Sequence, residues 1–233
     1  MKAMILAAGR GERMRPLTDH TPKALLQIGD RPLIALIIRA LAHAGIRDVV
    51  INLAHLGERI EATLGDGVAL GVRISYSRET VALETAGGIA FALPLLGQEP
   101  FIAVNADVYS DYDFSALVAA ACRLTPAGPL AHLVLVENPP QHPRGDFGLA
   151  DGMILADAGT RHTFSGIGAY HPALFADIPR GSRARLADIL IAAMRRRQVT
   201  GELYAGRWHD VGTPERLAAL DSEARAGGCS DGQ

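Results

Sequence analysis

Cysteine is nearly absent from these 233 residues: only Cys122 and Cys229 occur, far apart and without a Cys or His partner at zinc spacing. That argues against a disulfide scaffold or a structural zinc site and fits a reducing compartment with two incidental thiols. Neither sign of charge is in excess, since 23 Lys and Arg against 25 Asp and Glu leave a formal −2. The balance gives no support to a nucleic-acid or anionic-membrane partner, although local phosphate binding is untouched by it. Long apolar runs are missing as well. The amino-terminal run ends at Gly9, too short and wrongly flanked for a signal peptide or a membrane span. A soluble, cytoplasmic protein is expected, of a length that suits one sizeable α/β domain.

Two familiar phosphate motifs are also lacking. There is no Gly-x-x-x-x-Gly-Lys-Ser/Thr run, and Met14 stands where a dinucleotide fingerprint needs its third glycine. What the chain does have is an apolar strand, Lys2 to Ala8, that breaks into Gly9-Arg10-Gly11-Glu12-Arg13-Met14-Arg15-Pro16-Leu17-Thr18 and closes on Thr21-Pro22-Lys23. Small residues let backbone amides approach an anion while Arg10, Arg13, Arg15 and Lys23 supply full charge, which suits a triphosphate beyond a strand end. Gly-x-Gly alone marks only a tight turn; the whole run is far more specific.

Further along, strands alternate with helices, which argues for a mostly parallel sheet with right-handed crossovers. Strands are expected at Leu25 to Ile28, Asp48 to Leu53, Val72 to Ser77, Pro100 to Ala106, Ala131 to Glu137 and Thr163 to Tyr170. Helices are expected from Pro32 to Gly45, through Ile60 and Leu64, after Leu83, from Phe114 to Cys122, from Ala187 to Met194 and from Pro214. Gly87-Gly88 at a helix entrance reads either as a cap or as room for a flat base lying against backbone. Asp107 ends a buried strand, where a carboxylate is costly unless it meets a cation, so it is a candidate metal ligand. Asp111 and Asp113 read as turn or cap residues instead.

The opening run, with Thr21-Pro22-Lys23-Ala24-Leu25-Leu26 after it, closely resembles the signature of the sugar-1-phosphate nucleotidyltransferases. Trp208-His209-Asp210-Val211-Gly212-Thr213-Pro214-Glu215 matches that family's Trp-x-Asp-x-Gly-Thr-Pro-Glu motif, and Asn105-Ala106-Asp107 its Asn-x-Asp. Within the family the chain is most similar to the short bacterial members that join UTP to N-acetylmuramate 1-phosphate in cell-wall recycling. The resemblance implies a three-layer, Rossmann-like α/β fold of the GT-A nucleotidyltransferase type with a mixed, mostly parallel central sheet. No hexapeptide repeats follow it, so no β-helix domain is expected. One domain over 1–226 is implied, with a nucleotide-binding half 1–110, a sugar-binding half 111–226 and a frayed tail 227–233.

The resemblance also implies the site. Ala8, Gly9, Gly11, Glu12, Arg13 and Lys23 would hold the triphosphate, and Leu83, Gly87 and Gly88 the base. Asn105, Asp146, Gly148 and Gly166 would hold the sugar or ribose hydroxyls, and Asp107 and Asp210 a Mg²⁺ ion. Arg13 and Lys23 are the implied catalytic cations, Arg13 at the β and γ phosphates and Lys23 between the α-phosphate and the incoming sugar phosphate. Departures exist: Leu83 and Glu84 occupy the region where uracil- or thymine-reading relatives often carry Gln, and Asp157 to His162 replaces Glu-Lys-Pro. Arg144 or Arg161 is available in place of the absent lysine, and either can meet a lactyl carboxylate in a bidentate fork. Arg144-Gly145-Asp146 also reads as an exposed turn. The expected partners are UTP and a sugar 1-phosphate, in a monomer or small homo-oligomer. Rival readings are mannose 1-phosphate with GTP, glucose 1-phosphate with TTP or UTP, and a non-catalytic nucleotide-sugar sensor; a metallophosphatase lacks sufficient His and Asp near strand ends.

Overall fold

A computed structural model describes residues 1–157 and 159–227. The chain opens with β1 (Lys2–Leu6), and after the phosphate loop comes a hairpin of β2 (Gln27–Ile28) and β3 (Arg31–Pro32). Then follow α1 (Leu33–His43), β4 (Asp48–Leu53), α2 (Gly57–Leu64), β5 (Arg73–Arg78), α3 (Glu84–Leu96), β6 (Phe101–Asn105), β7 (Val108–Ser110) and α4 (Phe114–Ala121). The second half holds β8 (Ala131–Val136), β9 (Gly148–Ala150), β10 (Met153–Leu155), β11 (Thr163–Tyr170), α5 (Leu186–Arg195), β12 (Val199–Tyr204), β13 (Trp208–Asp210) and α6 (Pro214–Gly227).

Nine strands form one sheet in the order β5-β4-β1-β6-β11-β8-β12-β10-β9. The pairings make β11 and β10 the two that run against the other seven, so the sheet is mixed but mostly parallel in direction. Alternate side chains on each strand feed opposite layers, as the two-residue period of a strand requires. Ala3 and Ile5 pack with Ile34, Ile38 and Leu41 of α1, Ile60 of α2 and Leu117 of α4. Met4, between them, packs on the other face with Ile89 and Ala92 of α3 and Leu190 and Ala193 of α5. The result is three layers, helices on both faces of the sheet.

Two features of this layout position the site. The chain winds from β1 through β4 to β5 and then returns across β1 to β6, so the strand order reverses between β1 and β6, where a crevice opens beyond the carboxyl ends. A separate two-stranded ribbon pairs Val108 with Asp210, Tyr109 with His209 and Ser110 with Trp208. Trp208 Nε1 donates to the Ser165 carbonyl at 2.9 Å, tying this ribbon to β11. A small core of Ile28, Leu33, Val211 and Leu220 seats α6 on the hairpin, where the Gly29 amide donates to Asp221 at 2.7 Å.

The expected strand at Leu25 to Ile28 shrinks to Gln27–Ile28, because Lys23–Leu25 forms a 3₁₀ turn. The expected helix after Pro214 runs on to Gly227, and residues 228–233 of the expected frayed tail, with Cys229, lie outside the described residues. No helix among the described residues is long and apolar enough to cross a membrane.

Candidate active site

The β1–β6 crevice is lined by Ala8, Gly9, Lys23, Asn52, Glu79, Leu83, Glu84, Asn105 and Asp107 among others, with a volume of about 350 Å³. A second hollow of about 360 Å³ is lined by Gly9, Gly11, Glu12, Arg13, Lys23, Asp107 and Gly212. Gly9, Lys23 and Asp107 belong to both walls, so the two hollows meet at these residues. Of the residues expected at the site, Ala8, Leu83 and Asn105 line the first hollow and Gly11, Glu12 and Arg13 the second.

The phosphate loop is shaped locally. Gly11 lies in the left-handed region at φ +63, and a side chain there would meet Thr18 Cγ2 at 2.9 Å. Thr18, buried, donates from Oγ1 to the Gly11 carbonyl at 2.8 Å and closes the loop on itself. Met14 is fully buried and anchors the turn, while Arg10 and Arg13 stay exposed toward solvent. The anchored backbone therefore presents its cations outward.

Asp107 follows β6, held in line by the Ala106 amide donating to the Leu6 carbonyl at 3.1 Å. Its carboxylate is ion-paired with Lys23, whose side chain is largely buried. Asp210 comes alongside from far along the chain: it pairs with Val108 in the ribbon, and the Val211 amide donates to the Asp107 carbonyl at 2.9 Å. The Asp210 carboxylate in turn accepts from Arg216 Nη1 at 2.6 Å. No group of three or more Asp, Glu, His or Cys side chains at metal-binding range occurs among the described residues. Two carboxylates, one in the turn after β6 and one on β13, without a complete protein cage, fit Mg²⁺, which takes one or two carboxylates and completes its shell with phosphate oxygens and water.

A buried polar chain that sequence reasoning missed stands behind the crevice. The Ala7 amide donates to Asn52 Oδ1 at 2.8 Å, Asn52 Nδ2 donates to Glu79 Oε1 at 2.7 Å, and the Leu83 amide donates to Glu79 Oε2 at 3.1 Å. It links the ends of β1, β4 and β5 to the loop before α3. Burial holds the Glu79 carboxyl above its ordinary value, and the bonds from Asn52 and Leu83 partly counter that. The available signal was a polar residue closing each of two strands, Asn52 in Asp-Val-Val-Ile-Asn-Leu and Glu79 just after β5.

Three of the six glycines expected to lie against ligand, Gly87, Gly88 and Gly166, are packed against protein. Gly87 is buried under the 182–184 segment, where a side chain would meet the Ser182 carbonyl at 2.4 Å, and its amide donates to the Ala184 carbonyl at 3.2 Å. Gly88 is buried against Glu79 Oε1 and Asn52 Nδ2, at 2.6 and 2.9 Å from a would-be Cβ. Gly166, at φ +79, leaves space for Asn105, whose Nδ2 would lie 2.6 Å from a side chain there. In all three places the close neighbour is protein, so the glycines shape the crevice from behind instead of forming its wall.

Asp146 and Gly148 stand apart from the crevice lining. Asp146 Oδ2 accepts from the Phe164 amide at 2.8 Å and fastens the 138–148 loop to β11, while Oδ1 lies 3.1 Å from His142 Nε2 within the loop. Gly148 is buried in β9, opposite Leu155. Arg144 and Arg161 are exposed and line neither hollow.

Comparison with known proteins adds to this geometry. Residues 2–153 match the family described as Nucleotidyl transferase. A Neisseria meningitidis serogroup B protein named N-acetylmuramate alpha-1-phosphate uridylyltransferase is 52% identical over 97% of this chain and 99% of its own length. A Caulobacter vibrioides protein of the same name is 37% identical over 96% of each chain. In fold, a Bacillus anthracis crystal structure, provisionally named a glucose-1-phosphate thymidylyltransferase and complexed with sucrose, superposes with a TM-score of 0.85 at 24% identity, over 97% of this chain and 95% of that one.

Proposed function

The chain belongs to the nucleotidyl transferase family, and from that premise we propose that it transfers the uridylyl group of UTP to N-acetylmuramate alpha-1-phosphate with the aid of Mg²⁺, giving UDP-N-acetylmuramate and pyrophosphate. The observation that carries the reading is the meeting of Arg13, Lys23 and Asp107 around one opening, with Asp210 on the strand beside Asp107. The choice of UTP and of the muramic sugar rests on the 52% and 37% identical relatives, both named for that reaction. Its place would be peptidoglycan recycling in the cytoplasm.

A sugar phosphate oxygen is already ionised near neutral pH, so the attack on the α-phosphorus needs no general base. As the new P–O bond forms, the bond from the α-phosphorus to the bridging oxygen breaks and pyrophosphate leaves. The protein's task is to align two polyanions that repel each other and to neutralise the charge that builds on the leaving group. Arg13, exposed on the loop, meets the β and γ phosphates. Lys23 turns from Asp107 toward the α-phosphate and the incoming phosphate, while backbone amides of the Gly9–Gly11 turn bind phosphate oxygens. Asn105, fixed against Gly166, presents its amide to a ribose or sugar hydroxyl. Asp107 and Asp210 would hold the metal, which would supply positive charge to offset the negative charge of the phosphates. The base lies against the loop at Leu83, held in place by Glu79 and Asn52.

The test is a matrix of nucleoside triphosphates and sugar 1-phosphates with Mg²⁺, followed by pyrophosphate release and mass spectrometry of the product. UTP with N-acetylmuramate alpha-1-phosphate is expected to exceed every other pair; a faster GTP and mannose 1-phosphate pair would overturn the substrate assignment. Asp107→Asn and Asp210→Asn are each expected to lose about a hundredfold or more in kcat while keeping the wild-type circular dichroism. Full turnover in either variant removes that residue from the metal.

A further inference from the structure

Arg216 has no part in the transfer as described above, yet it is bonded to one of the two acids on which that transfer rests. It sits in the first turn of α6, the positive end of a helix, where a cation is disfavoured unless an anion compensates it. Its guanidinium is half-buried and reaches back to Asp210, Nη1 to Oδ2 at 2.6 Å. Gly212 lies between them. A side chain there would stand 2.6 Å from Arg216 Nη2 and 2.9 Å from Asp210 Oδ1, so the glycine is what lets the pair close. Space is the reason, since Gly212 has no left-handed backbone of the kind seen at Gly11. The motif Asp-x-Gly-Thr-Pro-Glu-Arg thus encodes an ion pair behind Gly212, itself part of the wall of the second hollow.

Asp107 is paired in the same manner, with Lys23. Two acids and two bases form a quartet with no net charge. A lone divalent ion reaching for both carboxylates has to displace two bases and finds no excess of negative charge to attract it. A triphosphate changes this, because its oxygens draw off Lys23, which lines both hollows, and its charge beside Gly212 competes with Asp210 for Arg216. We propose that Arg216 is a positioning residue: it holds Asp210 beside Asp107 and shields it from a divalent ion until triphosphate arrives, so that metal and nucleotide bind as a coupled pair. The inference rests on the reading of Asp107 and Asp210 as metal ligands. Coupling of this kind is reciprocal, each ligand raising the affinity for the other by the same factor.

The experiment titrates nucleotide-free protein with Mn²⁺ and follows the free ion by electron paramagnetic resonance, for wild type, Arg216→Gln, Arg216→Lys and Asp210→Asn. Arg216→Gln is expected to bind Mn²⁺ on the order of three- to tenfold more tightly than wild type, as removal of a half-buried partner exposes Asp210. Arg216→Lys keeps the charge and is expected to stay near wild type, and Asp210→Asn to bind more weakly. In turnover, Arg216→Gln is expected to lower kcat at saturating metal without raising the KM for metal, a split that general loss of structure would not give. Mn²⁺ binding in Arg216→Gln no tighter than wild type, alongside weakening in Asp210→Asn, overturns the role of Arg216 and leaves the metal ligands standing. Unchanged binding in Asp210→Asn instead removes the underlying reading. If Arg216→Gln does not fold, Gly212→Ala, which wedges the pair apart while keeping both charges, must show the same tightening or the proposal fails.

Discussion

Gly88→Ala sets two physical effects against each other, and their magnitudes decide the sign. Gly88 lies inside α3, where replacing glycine by alanine ordinarily stabilises a helix by about 1 kcal/mol. Here the added methyl would stand 2.6 Å from Glu79 Oε1 and 2.9 Å from Asn52 Nδ2. A flexible glutamate tip usually yields cheaply, but this one is buried and accepts bonds from Asn52 and from the Leu83 amide. Overpacking costs about 1–3 kcal/mol, and each buried donor left without a partner about 1–3 kcal/mol more. With one donor orphaned, the net loss is about 1–5 kcal/mol. For a domain of this size that lowers the melting temperature by roughly 3–15 °C. Differential scanning calorimetry measures it, and nucleotide KM is expected to rise because the same chain of bonds fixes the Leu83 loop. Melting at or above the wild-type temperature would refute the claim that the Asn52–Glu79 pair is rigidly held.

Two further outcomes follow from the same coordinates. Gly166→Ala combines a left-handed φ of +79 with a contact of 2.6 Å to Asn105 Nδ2, and is expected to cost about 2–4 kcal/mol; thermal melting reads the loss, and an unchanged melting temperature refutes it. His132 is held below its ordinary pKa, first by burial and then by Arg123, with Glu202 acting in the opposite direction. The unfolded chain therefore takes up a proton near pH 6.5 that the native state declines, so stability from this site is present above about pH 6.5 and is lost as pH falls through the lower folded value. Urea midpoints from pH 7.5 to 5 are expected to fall less steeply in His132→Gln than in wild type, and parallel slopes would show that His132 does not set the acid limb.

Much of the fold is legible because its strands are buried on both faces and bounded by turn residues. Asp48–Leu53 and Thr163–Tyr170 occupy the spans their apolar runs suggest. By contrast, Val199–Tyr204 hides its strand: Thr200, Gly201 and Glu202 dilute the apolar pattern, and pairing with β8 and β10 holds it extended. The ribbon of β7 and β13 is invisible for a related reason, since three-residue segments carry no period and their pairing joins residues about a hundred positions apart. At the site, the cationic loop, Asp107 and Asp210 announce themselves by motif. Asn52 and Glu79 do not, because their purpose arises only when the ends of neighbouring strands are side by side. Gly87, Gly88 and Gly166 show the limit of reading glycine: its presence signals that something comes near, and the sequence is silent on whether that something is ligand or protein.

The β7–β13 ribbon also bears on when in the life of the chain the proposed chemistry becomes available. Val108–Ser110 has no partner strand until Trp208–Asp210 has been synthesised, and the indole bond that pins the ribbon to β11 comes with the same late segment. A nascent or clipped polypeptide ending before that segment retains the cationic turn and Asp107 yet has no second acid beside it. Such a fragment lacks the pairing that sets Asp210 beside Asp107, so the proposed transfer waits on completion of the chain.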